Sequence, residues 1–263
     1  ELGHKGPTHT VSAGCTSGFE VLDWALNALR MGELDVVLAC ASDSVLSPFY
    51  FATLDVLGIL SARNEEPEKA CRPYDAERDG SVASEGGAAI ILEEASHALQ
   101  RGARIYGELA GCSNSSFARE MIRPDREGES IYRCLKRLLE QADLRPEDVD
   151  YICSHGVAIP DEDVAETRAF KRLLGERAYR VPVSSIKSMI GQPYAPGGLL
   201  QVIAVCKALQ TGWIPPTINL DHPDPECDLD YVPARARRNN VDCALTNSQG
   251  VGGSQSAVLL RKW

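Results

Sequence analysis

Apolar residues at Phe19, Leu22, Ala25, Leu26 and Leu29 recur at helical spacing and predict a helix running to about Gly32. The period then changes. DVVLACAS (35–42) and GAAIILEEA (87–95) are short apolar runs of buried-strand character, the second followed by a helical HALQRGA. A second series opens at IYGELAGCS (105–113). It continues with a helix near 128–143, the strand VDYICSHG (149–156), a helix near 163–174, the strand VPVSSIKS (181–188) and a helix near 197–211. The chain closes on CALTNSQGVGGSQSAVLLRKW, two strand-like runs around a glycine-rich turn. Buried strands alternating with helices predict an α/β fold with a largely parallel or mixed sheet covered on both faces. Strand, turn and helix recur on either side of residue 104, which sets the expected boundary between two parts, 1–104 and 105–263.

Composition narrows the function classes. The formal net charge of −10, with no block of lysine or arginine, argues against a nucleic-acid or anionic-membrane surface. The nine cysteines are scattered and never form a CxxC pair, a pattern that fits free thiols in a reducing cytoplasm and neither a disulfide framework nor a metal site. ELGHKGPTH at the amino terminus lacks the apolar core of a signal peptide, and no apolar run approaches the ~18–20 residues of a membrane span. The expected partners are small molecules or proteins. The first residue is not Met, so the natural start is expected upstream or the chain to be processed.

Four positions at strand ends carry reactive chemistry: Cys15 in VSAGCTSG, His155 after VDYICS, Lys187 after PVSSI, and the SQGVGG turn at 248–253. Each has a plainer explanation when taken singly. A cysteine at such a junction packs like a large alanine, a lone histidine is usually structural, a lysine is usually a solvated charge, and GVGG is usually only a turn. A thiol at a helix N-terminus, however, faces unpaired backbone N–H groups that favour a thiolate and later an oxyanion. On that ground Cys15 is expected to be an exposed thiol of low pKa.

Taken together, VSAGCTSG, ACASDSVLSP, CRPYDAERDGSVASEGGAAIILEEASHALQRGA, VDYICSHG, PVSSIKSMIG, IPPTINLDHPDPECDLDYVP and GVGGSQSAVLL resemble the β-ketoacyl synthases of the thiolase superfamily. The resemblance runs through essentially the whole chain and is strongest to the ketosynthase subunit of type II polyketide synthases. It implies a thiolase-like, layered αβαβα fold and acyl transfer or decarboxylative condensation on acyl-carrier-protein thioesters. In that pattern Cys15 is the nucleophile, His155 binds the carbonyl of the extender thioester, and Lys187 orients that histidine. Glu85 matches the glutamate of the family's GEG segment. The backbone N–H groups of Cys15 and Val251, the latter between Gly250 and Gly252, form the oxyanion hole and gate. No cofactor is implied beyond the phosphopantetheine arm of the carrier protein. A ketosynthase-like or chain-length-factor subunit is the implied dimer partner.

The departures from the pattern are as informative as the matches. Where the family has its second catalytic histidine, SIKSMIGQPYAPGG places Gln192, which donates an N–H but exchanges no proton. HGTGT becomes HGVAI (155–159), and GFGG becomes GVGG. These changes lean toward a non-condensing, chain-length-factor-like subunit that shapes the tunnel or docks carrier protein, yet such a subunit need not keep Cys15. Only fourteen residues precede Cys15, where the family has a long segment. The resemblance therefore implies the end of the first half-fold plus a complete second half, with a second polypeptide supplying the front; a misassigned start is the alternative. Without that front, strand 35–42 is expected to lack neighbours, and the Leu22, Leu26 and Leu29 face to lie open.

Overall fold

The computed structural model describes Gly3, residues 5–118 and residues 125–263; Glu1, Leu2 and His4 of the amino-terminal stretch lie outside them. A single 3-10 turn at Gly14–Thr16 leads into α1 (Ser17–Arg30). Then come β1 (Val36–Asp43), α2 (Pro48–Val56), β2 (Gly86–Glu93), α3 (Ala95–Gln100), β3 (Glu108–Ser116), α4 (Glu129–Gln141), β4 (Tyr151–Cys153) and α5 (Pro160–Leu174). The chain continues with β5 (Val183–Ser184), α6 (Lys187–Ile190), α7 (Gly197–Thr211), β6 (Trp213–Ile214), β7 (Arg237–Arg238), β8 (Cys243–Gly250) and β9 (Ser254–Arg261). No helix of the described residues is long and apolar enough to cross a membrane.

Five strands form one mixed sheet in the order β3-β9-β8-β4-β5. The pairs β3/β9 and β9/β8 are antiparallel, while β8/β4 and β4/β5 are parallel. Alternation along β9 sorts its side chains between two cores: Ala257 and Leu259 face the helices α4 and α5, and Val258 and Leu260 face α1 and α7. Both faces are thus covered, as parallel pairing requires. Beyond α1 and α7 lies the antiparallel pair β1/β2, which contributes Val37, Ala39 and Leu92 to the same core. The layers run α4/α5, five-stranded sheet, α1/α7, two-stranded sheet.

Two expectations are corrected here. Strand 36–43 has a neighbour on one edge, since every residue from Val36 to Asp43 pairs with β2; no strand pairs with its other edge among the described residues, as expected. The Leu22 and Leu26 face is closed, with those side chains 1% and 8% exposed, because α1 is sandwiched between the two sheets. An open apolar cleft of about 870 Å³ remains beside α1, lined among others by Leu29, Ile91, Tyr106 and Ile203.

α1 and the start of α7 approach closely. A Cβ added at Gly18 would stand 2.8 Å from Ala195 O and 3.0 Å from Leu199 N, and one at Gly198 would meet the Phe19 ring at 2.8 Å. Both glycines permit backbone contact that no other side chain allows. Gly198→Ala is expected to push Phe19, itself fully buried, off its seat and to cost about 1–3 kcal/mol, read as a lower urea midpoint with unchanged slope.

Candidate active site

The turn between β4 and α5 carries His155, and a buried carboxylate fixes it. Glu166, from the second turn of α5, accepts hydrogen bonds from His155 N (2.7 Å), Gly156 N (3.0 Å) and Asn247 Nδ2 (2.7 Å), and its Oε2 lies 2.6 Å from the Tyr74 hydroxyl. Asp163, one turn earlier, accepts from Val157 N and Tyr74 N and pairs with Arg78 at 3.3 Å. Gly156 is needed for this packing, because a Cβ there would stand 2.6 Å from the Tyr74 oxygen. Two residues on, Ala158 adopts φ +66°, a left-handed conformation that suits glycine and strains alanine.

Cys15 sits in the 3-10 turn ahead of α1, and β8 holds it from the side: Ser248 Oγ donates to Cys15 O at 2.9 Å and lies 3.4 Å from His155 Nδ1. Val45, Leu54 and Tyr194 pack around the thiol, so α2 supplies one wall. The expectation of an exposed thiol of low pKa is overturned. Cys15 is 9% exposed, and burial, with the nearby Glu162 carboxyl, pushes it up to about 11. Lys187 and the neighbouring Gln192 amide pull the other way without prevailing. Of the cysteines, Cys40 is the exposed one.

Lys187 is not in a strand: SSIKS turns into α6 after Ser184, and Lys187 is its first residue. The side chain is 1% exposed and its Nζ donates to His155 O (2.8 Å) and Gln201 Oε1 (3.1 Å). Gln201 in turn donates toward the carbonyls of Cys153, Ser154 and Asn247, tying α7 to the ends of β4 and β8. Burial, and then the Lys187 charge, hold His155 well below the ordinary histidine range, so the ring is neutral. Burial likewise lowers the Lys187 ammonium.

Gln192 is 5% exposed, and its backbone is clamped by the 82–84 segment: Gln192 N donates to Val82 O (2.8 Å), and Ser84 N donates to Gln192 O (3.0 Å). Its Oε1 is buried without a partner. Glu85 follows that clamp, but its carboxylate does not enter the pocket. It is exposed and accepts from Ser44 at 2.8 Å, because the chain turns outward there into β2. The Gly250–Gly253 turn joins β8 to β9; a Cβ at Gly250 would come within 3.8 Å of Ala13 O, so the turn lies against the Cys15 loop, with Val251 52% exposed.

Cys15, His155, Lys187 and Gln192 are therefore brought together, Gly250 and its turn abut them, and Glu85 is left outside. Sequence reading missed Glu162, Asp163 and Glu166. The acidic first turn PDED marks a helix start, but only the fold shows that three carboxyl groups of α5 face inward. Glu162 Oε2 stands 3.7 Å from His155 Nε2.

Comparison with known proteins places this geometry. Residues 1–98 match the family described as "Beta-ketoacyl synthase, N-terminal domain" and residues 106–221 the one described as "Beta-ketoacyl synthase, C-terminal domain". A "Putative polyketide beta-ketoacyl synthase 1" of Streptomyces halstedii is 46% identical over 259 residues, which are 98% of this chain and 61% of that relative. Among solved structures, a type II polyketide ketosynthase in complex with its acyl-carrier protein and bound to a hexaketide superposes with a TM-score of 0.94 at 37% identity, over 96% of this chain and 62% of that one. The ishigamide ketosynthase/chain length factor superposes with a TM-score of 0.89 at 31% identity, over 96% and 60%. The chain thus spans about 61% of the length of the curated relative.

Two outcomes follow from this geometry. At neutral pH only ~10⁻⁴ of Cys15 is thiolate, so brief iodoacetamide treatment and peptide mapping are expected to find Cys40 alkylated before Cys15, with Cys15 labelling rising tenfold per pH unit. Ala158→Gly removes the left-handed strain at some cost in chain entropy and is expected to raise stability by up to about 1 kcal/mol, seen as a higher Tm.

Proposed function

The chain belongs to the β-ketoacyl synthase family, and on that premise we propose that it works through an acyl-Cys15 thioester, accepting acyl groups from an acyl carrier protein in polyketide or fatty-acid-like biosynthesis. One observation carries the reading. Ser248 joins the Cys15 backbone to the His155 ring, and the buried Lys187 ammonium holds the His155 carbonyl, so nucleophile and histidine are fixed to one another with the Gln192 amide near enough to favour the thiolate.

An incoming thioester carbonyl takes its oxyanion to the backbone N–H groups of Cys15 and Val251, where each donor is worth ~3–4 kcal/mol. The resting thiol is neutral, so its proton leaves as the sulfur attacks; the carrier's C–S bond breaks and the departing carrier thiolate takes that proton, with the Lys187 charge and the Gln192 amide favouring the attacking thiolate. Lys187 holds the His155 segment through its carbonyl, and burial, with the Lys187 charge second, keeps the imidazole neutral, able to give one N–H to a second thioester. The acyl carrier protein and a ketosynthase-like or chain-length-factor partner are the proposed associates. Phosphopantetheine on the carrier is the only prosthetic arm required.

A second reading has its own support. Gln192 donates an N–H but cannot exchange a proton, and its Oε1 is buried without a partner, so the extender side lacks the proton-exchanging ring that a second histidine supplies, which suits a non-condensing subunit that shapes the tunnel or docks carrier protein. Intact-protein mass spectrometry after incubation with acyl carrier thioesters separates the two. A covalent acyl adduct lost in Cys15→Ala is expected; persistent absence of an adduct favours the scaffold. Gln192→His is expected to raise malonyl decarboxylation by on the order of 10²-fold, read as released carbon dioxide.

A further inference from the structure

One carboxyl group in the pocket is unused by this account. Glu162 lies in the first turn of α5, its side chain is 17% exposed, and its Oε2 stands 3.7 Å from His155 Nε2. The other ring nitrogen, Nδ1, is already beside Ser248 at 3.4 Å. Glu162 therefore occupies the edge of the imidazole left free for a substrate. Gln192, near enough to Cys15 to favour its thiolate, is 95% buried with its Oε1 unpartnered. Two groups beside Cys15 can therefore take a hydrogen: the Glu162 carboxyl once it is ionised, and the unpartnered Gln192 Oε1. Decarboxylative condensation brings no proton for a carboxylate to take. A carboxyl placed on the open edge of the imidazole suits a substrate that brings its own hydrogen.

We propose that Glu162 is the general base of the second half-reaction and that the acceptor of the acyl group is a proton-bearing oxygen or nitrogen nucleophile: a hydroxyl, an amine or water. The proposal rests on the acyl-Cys15 reading and specifies what relieves Cys15 of its acyl group. The acceptor's lone pair attacks the thioester carbonyl carbon and forms the new C–O or C–N bond, while its proton passes to the Glu162 carboxylate. The C–S bond then breaks, its electron pair leaves with Sγ, and the proton moves from Glu162 to the sulfur. The products are an ester, an amide or a free acid, and the Cys15 thiol.

The charge environment gives this step a direction with pH. Burial, followed by the neighbouring charges of Asp163 and Glu166, raises Glu162 to about 8, and Lys187 offsets part of that rise. Arg78 pairs with Asp163, His155 is neutral, and acylation removes the titration of the Cys15 thiol that also faces Glu162. Glu162 is therefore protonated at neutral pH. Its basic form, and with it the transfer rate, grows as pH rises through about 8 and then levels off.

The test uses the full chain acylated on Cys15 with hexanoyl-N-acetylcysteamine and freed of excess reagent, with loss of the adduct followed by intact mass. It is chased in buffer alone, with glycerol, with ethanolamine, or with malonyl-N-acetylcysteamine. Wild type is expected to lose its acyl group to the protic acceptors, with a rate that rises through pH about 8. Glu162→Gln, brought to the same occupancy, is expected to lose it on the order of 10²-fold more slowly and without that inflection. A wild-type rate that is flat with pH, a Glu162→Gln profile like wild type, or release to malonyl thioester alone overturns the proposal while leaving the acyl-enzyme reading intact. If Cys15 takes no acyl group at all, both fall together.

Discussion

The site hangs on the Glu166 carboxylate. Four donors converge on it from three separate parts of the chain: two backbone N–H groups of the β4–α5 turn, the Tyr74 hydroxyl and the Asn247 amide. A buried carboxylate is tolerable only when its lone pairs are filled, and here filling them folds the turn. The peptide units at His155 and Gly156 are pinned to α5, so the imidazole direction is set by backbone rather than by side-chain packing. Tyr74, from the long segment between α2 and β2, stacks on Tyr231 with ring centroids 3.7 Å apart and locks that segment over the turn. Arg78 completes the lock by donating to the carbonyls of Asp75 and Pro160 and pairing with Asp163 and Asp224.

Burial then decides the charge state of the site. Cys15 and Glu162 are raised, while His155 and Lys187 are lowered, each shift favouring the neutral form, and desolvation leads the causes in every case. The helix-terminal position of Cys15 favours the thiolate, but an interaction of this kind is worth about 0.3–2 kcal/mol and does not outweigh removal from water. Reactivity in such a pocket has to be created by the arriving substrate, which brings polar groups into a cavity that lacked them.

Much of the fold was legible from periodicity because it is dictated locally. The last long helix runs over Gly197–Thr211 as its pattern predicts, and the closing strands fall on either side of the glycine turn. Where a fully buried strand hands over to a site loop, the apolar run outlasts the strand. VDYICSHG pairs only over Tyr151–Cys153 and VPVSSIKS only over Val183–Ser184, because their remaining polar groups bond across the pocket instead. Helix α2 gave little signal, since much of it is exposed apolar surface, Phe49 at 84% and Val56 at 88%. Among the site residues, Cys15, His155, Lys187 and Gln192 could be named because strand ends and a family pattern mark them. Glu162 and Glu166 could not, because nothing in PDEDVAE tells a solvated carboxylate from one facing inward. The same blindness to burial produced the wrong expectation for the Cys15 thiol.

The glycine contact between α1 and α7 reaches further than packing. Cys15 precedes α1 directly, and Gln192 precedes α7 by a short loop, so main chain touching main chain at Gly18, Ala195 and Leu199 sets the spacing of sulfur and amide. Spacing held in this way is independent of which aliphatic side chains fill the surrounding core. Over evolutionary time those side chains are free to drift, one branched residue for another, without detuning the pair. The two glycines are the positions at which such drift must stop.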